Sequence, residues 1–463
     1  MRHSKKFFFT TRKLTGPYRF IIEAAKKHSE EFTNERLSII VNQNYRIDII
    51  SIFYVIKFFF ETNFFSKKKI MLVNYHGYNL GRYTIPEIHK NYNVYSNKFL
   101  FICESLKCFY INLNILRSII KLEKNNIKAA FIDHCMYKNG LIFSVLSRKK
   151  IPIYTTGYPK GIIYFINNKK KILNYEDIIQ LKKTKKLNKK QIKDAKSSIK
   201  KIIQKPDIIP WMKSIKFVKE NKKFDKITHL IYAHSFTDGQ MLYGYDGFIN
   251  VYDWLEFTID ELAKNNNNKI IIKAHPFFFD AKFPNIMMKY DRKLFFRMML
   301  KYKKNKNLIF LKEPIKNGDL LKKLNKKKII LISHHGSAIL EGLFLNFKCI
   351  ASKATFWSSK FQLTNHWDDK LTYKKILKKN WDHLNNCKMI DVYNICYQVF
   401  CNPLSLYGKH FWQEILSREL KIPRQKIYQE SVDILDKVNL DSKKLKKLIQ
   451  KISKSIECVK IGN

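Results

Sequence analysis

The sequence predicts an α/β chain built on mainly parallel sheets. Short apolar runs recur along it, each bounded by glycine, proline or small polar residues and each followed by residues with helical spacing. Two runs are the most informative, Asn268-Lys-Ile-Ile-Ile-Lys-Ala-His-Pro276 and Lys328-Ile-Ile-Leu-Ile-Ser-His-His-Gly-Ser-Ala-Ile-Leu-Glu-Gly342. Both read as strands buried on two faces, and both end in residues suited to holding an anion rather than to packing. Open α/β sheets gather ligands outside the carboxyl ends of their strands, so the pair predicts one polar crevice and a phosphorylated ligand.

In chain order, residues 1–66 read as a basic, helix-biased segment. Its most apolar stretch, Ile47 to Phe65, is interrupted by Asp48, Lys57 and Glu61, whereas a spanning helix wants about twenty mostly apolar residues. It is expected to be a buried or interfacial helix. The opening Met1-Arg-His-Ser-Lys-Lys-Phe-Phe-Phe-Thr has too short an apolar stretch for a secretory leader. Residues 67–172 alternate strand and helix patterns: Lys69 to Asn74 as a first strand, then Ala129 to Asp133, then Pro152 to Thr156. The first is followed by His76-Gly77-Tyr-Asn-Leu-Gly81, either a βα turn open to a substrate or a plain turn. Residues 173–223 turn Lys-rich with helical periodicity, the pattern of a solvated linker or of a contact with an anionic lipid or polymer.

A second α/β unit, 224–400, opens with the strand Thr228 to Ala233 and continues through the two strands above, a basic helix near Lys289 to Lys301, and the strand Leu308 to Leu311. Residues 401–463 are expected to be helical, with Leu445, Leu448, Ile449, Ile452 and Ile456 on one stripe. The loop His234 to Asn250 is long, polar and glycine-bearing. Asp238, after a strand end, is a candidate catalytic base or the pivot of an Asx turn, with Asp246 as the second carboxylate. Ser333, Gly336 and Ser337 interrupt the apolar run just before the helical pattern Ala338-Ile-Leu, so Ser337 either donates to a phosphate or caps the helix. Glu341, one turn on, is placed to accept from ribose hydroxyls or to be solvated.

These residues resemble bacterial capsule and surface-polysaccharide biosynthesis proteins, nucleotide-sugar glycosyltransferases with the two-domain GT-B fold. The resemblance rests on Tyr232-Ala-His-Ser-Phe-Thr-Asp-Gly-Gln240, Asn250-Val-Tyr-Asp-Trp-Leu-Glu-Phe-Thr258, Lys273-Ala-His-Pro276 and His335-Gly-Ser-Ala-Ile-Leu-Glu-Gly342. It covers about Ile227 to Ser352, is weaker over Ile70 to Tyr158, and is absent from the first sixty residues. It implies two Rossmann-like domains facing a cleft, an acceptor-side domain over 67–172 and a donor-binding domain over 224–400. Donor binding then falls on Lys273, His275, Ser333, His335, Gly336, Ser337 and Glu341, catalysis on Asp238, His275 and Asp246, and the acceptor side on His76, Gly77 and Asp133. The implied partners are a nucleotide-sugar donor and a polysaccharide or lipid-linked glycan acceptor. A teichoic-acid-type polyol-phosphate transferase is the neighbouring possibility.

Composition narrows the classes further. The 463 residues carry 88 Lys and Arg against 38 Asp and Glu, a formal net charge of +50. Such a field attracts polyanions: nucleic acid, anionic headgroups, or nucleotide-linked sugars. Basic residues are scattered instead of interleaved with aromatics, and no RNA-binding or zinc-finger motif occurs, so nucleic acid is not an expected partner. An anionic inner-membrane surface is, with the chain peripheral on its cytoplasmic side. None of the eight cysteines forms a Cys-x-x-Cys pair, the pattern of free cytosolic thiols. His234, His275, His334 and His335 all fall near strand ends, yet adjacent histidines are expected to point apart and no His-Glu-x-x-His helix occurs. No metal and no further cofactor is expected.

Overall fold

Among the described residues, two six-stranded sheets organise the chain, one in each of the two compact units into which the computed structural model divides. The first unit comprises 1–84, 106–179 and 401–463, the second 85–105 and 180–400. The structure describes residues 6–461 apart from 12–15, 35–36, 42–47, 67–68, 122–126, 133–134, 158–160, 168–185, 207–214, 220–223, 225, 238, 240, 242–243, 280–285, 356–357, 359–360, 402–420, 422–445, 448, 451–452 and 454–456.

The strands of the first unit are Phe7–Thr10 (β1), Ser38–Val41 (β2), Asn74–Tyr75 (β3), Tyr78–Asn79 (β4), Ile127–Ile132 (β5), Ile153–Gly157 (β6) and Gly161–Asn167 (β7). Those of the second are His229–Tyr232 (β8), Ile270–Lys273 (β9), Leu308–Leu311 (β10), Ile330–Ser333 (β11), Lys348–Ser352 (β12) and Asn365–Trp367 (β13); Glu457–Ile461 (β14) returns to the first unit. The first sheet runs β14-β7-β6-β5-β1-β2, parallel except for the antiparallel β6/β7 pair. The second runs β10-β9-β8-β11-β12-β13 and is parallel throughout. Numbered within its own unit, that order is 3-2-1-4-5-6, the doubly wound arrangement in which the strand order reverses between the first and fourth strands. The reversal falls between β8 and β11.

The expected α/β class with parallel sheets is therefore what the chain has. Three local expectations differ. Residues 1–66 are more than a helical segment, since β1 and β2 pair side by side in the first sheet. A four-residue run such as Phe7-Phe-Phe-Thr10, buried from Phe8 onward, has no room to show a period of its own and was masked by the lysines around it. Lys69 to Asn74 is not a sheet strand. Ile70–Leu72 is a short 3-10 turn and β3 and β4 form a two-stranded hairpin, because the Val73 carbonyl is taken by the Gly81 amide as the next helix begins. The C-terminal stretch is not all helical either, for β14 pairs with β7; of the expected stripe Ile449 is buried, and Leu445, Leu448, Ile452 and Ile456 lie outside the described residues.

Within the Lys-rich 173–223 stretch, the helix Lys189–Gln204 starts in a capping box between Asn188 and Gln191 and buries Ala195, Ile199, Ile202 and Ile203. That i, i+4, i+7, i+8 stripe makes it an amphipathic helix packed on the second unit, its lysines on the remaining faces. The core of the second sheet is a cluster around Ile231, Ile272, Ile332, Trp254 and Phe295, which joins one sheet face to the helices Val251–Ala263 and Ile286–Lys301. One helix among the described residues, Lys98–Lys121, is long and apolar enough to cross a membrane by length and composition; half of its most apolar window is buried within the protein.

Candidate functional site

Register places the chemistry. Ser333 of β11, Tyr232 of β8 and Lys273 of β9 are paired neighbours across the centre of the second sheet. Their predecessors Ile332, Ile231 and Ile272 fill the core cluster, so by strand alternation this polar row faces the other way. There the helices Asn317–Lys322 and Ala338–Phe344 supply Asn317 and Glu341. The Tyr232 hydroxyl donates to Asn317 Oδ1 at 2.7 Å, and Asn317 Nδ2 donates to Glu341 Oε2 at 3.1 Å. Burial pushes the Glu341 carboxyl up to about 7, opposed by the Asn317 hydrogen bond and by attraction to Lys273. Burial likewise brings the Lys273 ammonium down to about 8, with Glu341 holding it up. The expected pairing of Glu341 with a ligand hydroxyl thus competes with a partner already in place.

Just beyond this row the three strands end in histidines. The His234 ring centroid lies 4.0 Å from that of His335 and 5.5 Å from that of His275. His234 follows β8 and His335 follows β11, so the cluster sits at the reversal of strand order. Burial, reinforced by the repulsion of His234 and Lys273, holds the His275 imidazole well below its ordinary range. Burial and the neighbouring His234, His334 and His275 do the same to His335. In the free protein at neutral pH these two rings are uncharged.

The adjacent histidines do not point apart as expected. His334 Nδ1 and His335 Nδ1 are 2.7 Å apart and hydrogen bonded, and His334 Nε2 lies 3.0 Å from Asp246 Oδ2. The Asp246 carboxylate beside His334 Nε2 favours the tautomer with Nε2–H on His334, in which His334 Nδ1 accepts from Nδ1–H of His335. Asp246, His334 and His335 thus form one chain of close polar contacts, a candidate proton relay.

Asp246, the second carboxylate of the sequence reading, is 1% exposed and faces His334. Its own burial raises the carboxyl, but the charge and hydrogen bond of His334, with bonds from Ser352 and the Phe248 amide, outweigh that and hold it below its ordinary value.

Gly336 follows the pair in a tight turn. Its amide donates to Ser333 Oγ at 3.0 Å, and a Cβ there would sit 2.8 Å from the same oxygen. Ser337 is the N-cap of Ala338–Phe344 but makes no side-chain capping hydrogen bond, which leaves its hydroxyl outside that structural role. Of the residues expected to serve an acceptor, His76 and Gly77 have left-handed φ values of 50° and 82° and form the exposed tip of the β3–β4 hairpin. They follow a strand of the two-stranded hairpin and not of either six-stranded sheet, and Arg148 Nη1 donates to the His76 carbonyl at 3.1 Å. Asp133 and Asp238 lie outside the described residues.

One residue with a clear positioning role went unread in the sequence. Asp291, on the helix Ile286–Lys301, accepts from Ser235 Oγ at 2.5 Å, the Phe236 and Thr237 amides at 3.0 and 2.9 Å, and Thr237 Oγ1 at 2.8 Å. It pins the segment that leaves β8 right after His234. Burial pushes its carboxyl up to about 7 against those four bonds. The only available signal was a single acid in the basic stretch Lys289-Tyr-Asp-Arg-Lys293. Among the described residues no three His, Cys, Asp or Glu side chains are arranged to hold a metal ion.

No protein-family model matches the chain, and no curated relative matches it. Solved structures give remote likenesses. KpsC of Thermosulfurimonas dismutans, a beta Kdo 2,4 transferase, matches at 11% identity over 59% of this chain and 80% of its own, with a TM-score of 0.37. The Methanocaldococcus jannaschii UDP-GlcNAc 2-epimerase, in complex with UDP-GlcNAc and UDP, matches at 16% over 90% and 99%, with a TM-score of 0.28. The N-terminal domain of Candida albicans trehalose-6-phosphate phosphatase matches at 12% over 88% and 94%, with a TM-score of 0.29. At such identities and scores a functional reading has to come from this chain's own side chains.

Proposed function

We propose that this chain is a nucleotide-sugar-dependent glycosyltransferase that extends a surface polysaccharide. The observation that carries the reading is the convergence of His234, His275 and His335 at the strand-order reversal of a parallel doubly wound sheet. That is where such sheets bind nucleotides, and imidazoles are well matched to a diphosphate. Glycosyl transfer breaks the anomeric carbon–oxygen bond, and the departing nucleotide gathers negative charge. Rings that are neutral beforehand take up protons as that charge develops, so they favour the transition state over the bound ground state. Lys273, held near Glu341 below the cluster, adds positive charge. Glu341, joined to Asn317 and Tyr232, is assigned the ribose in this reading. Asp238 is retained as the acceptor-activating base.

The test is a thermal-shift panel of CMP, CDP, UDP, GDP and their sugars on wild type and His275→Ala. A ligand at a hundred times its dissociation constant raises stability by about 2.7 kcal/mol, a readily visible shift. His275→Ala should leave the unliganded melting temperature close to wild type and weaken the preferred nucleotide by about ten- to a hundredfold, the loss of one charge-assisted hydrogen bond. No shift with any nucleotide, or an unweakened His275→Ala, counts against the reading. Product analysis separates sugar transfer from phosphoryl-polyol transfer, since different bonds break.

A further inference from the structure

The helix Ile49–Glu61 in the first unit has two apolar faces. Ser51, Val55 and Phe58 are buried, and Phe58 packs 6.4 Å from Phe109 between ring centroids. On the opposite face Ile49, Ile52, Phe53, Ile56 and Phe60 are 42–68% exposed, at i, i+3, i+4, i+7 and i+11. Phe64 extends that face. It is 53% exposed, with its ring 6.1 Å from that of Phe60. The turn that places it there has left-handed φ at Asn63, Phe64 and Phe65, of 53°, 59° and 57°. The same turn sends Phe65 inward to stack on Phe109 at 4.9 Å. Lone exposed apolar residues are ordinary, but six large ones on one contiguous face mark a contact surface.

We propose that this face seats in the headgroup region of an anionic lipid bilayer. The helix has 13 residues, too few to span a bilayer, which needs about twenty, and its other face is already packed. Such a helix lies in the interface plane. Its two charged residues, Lys57 and Glu61, pair at 3.6 Å and cancel, while the sequence carries Lys67, Lys68 and Lys69 shortly after Phe64 and Phe65. Basic residues beside an apolar helix face are the pattern that recognises anionic headgroups. A second copy is the poorer occupant, since each chain carries +50 and like fields repel.

The experiment is co-sedimentation of the full chain with vesicles of phosphatidylcholine alone and of equal parts phosphatidylcholine and phosphatidylglycerol. Wild type should partition onto the anionic vesicles and release in high salt. The charge-neutral double variant Phe53→Ser with Ile56→Ser should bind them at least about tenfold more weakly, with its nucleotide-induced thermal shift unchanged. Phe53→Trp should show a blue-shifted emission on the anionic vesicles. Binding by the serine variant equal to wild type, or a tryptophan emission that does not move, overturns the proposal. So does a wild-type dimer that the serine variant converts to monomer without any vesicle binding.

Discussion

Asp246→Asn is expected to lower turnover by about a hundredfold or more while changing nucleotide affinity by less than about tenfold. In the proposed mechanism the buried carboxylate, behind His334, stabilises an added proton on the His334–His335 pair as the leaving phosphate becomes more negative. An amide at this position keeps the shape and removes the charge, and it can also force the wrong tautomer by donating to His334 Nε2. Because the proton is needed most in the transition state, kcat should fall more than binding. The check is steady-state kinetics on the donor identified by the thermal-shift panel, with nucleotide affinity measured separately. Wild-type turnover in this variant would remove the relay from the chemistry.

Gly247→Ala is expected to cost about 3 kcal/mol or more of stability. Gly247 has a φ of +101°, a conformation that an L side chain adopts only under strain. An added Cβ would also sit 2.5 Å from the Lys370 amide nitrogen and 3.0 Å from the Asp369 carbonyl carbon, and backbone atoms cannot step aside as a side chain can. The melting midpoint should fall by roughly 6–12 °C for a unit of this size. A midpoint unchanged from wild type would contradict the packing described around Asp246.

The second sheet was legible because β8, β9, β10 and β11 are short apolar runs rich in isoleucine and leucine, and β8, β9 and β11 end in the polar residues Tyr232, Lys273 and Ser333. Strand pairing then brings those ends together automatically, which is why His275, Ser333 and Lys273 could be named from the sequence. The rest depends on contacts between distant positions. Asp246 reaches His334 across 88 residues, and Asp291 reaches Ser235 across 56. No local pattern encodes either partnership. The His334–His335 contact was misjudged for a related reason: alternation separates side chains along a strand, but β11 ends at Ser333, so both rings stand on turning backbone where alternation no longer applies. In the first unit, β1 and β2 were hidden by their brevity and by the basic residues around them.

The histidine cluster also predicts a pH dependence. His275 and His335 are depressed by burial, so these two rings contribute a loss of stability as pH drops below about 6.5, opposed by the Asp291 and Glu341 carboxyls, which burial pushes up to about 7. A bound phosphate reverses the balance by favouring the charged rings. The most direct measurement is therefore a titration of the preferred nucleoside diphosphate into protein with isotope-labelled histidine, following the ring nitrogens and the protons taken up. The account predicts that the signals of His234, His275 and His335 move together while that of the exposed His76 does not, that protons are absorbed on binding, and that affinity rises as the pH is lowered from about 8 to about 6. Saturating binding with those three rings unmoved and no proton uptake would contradict it.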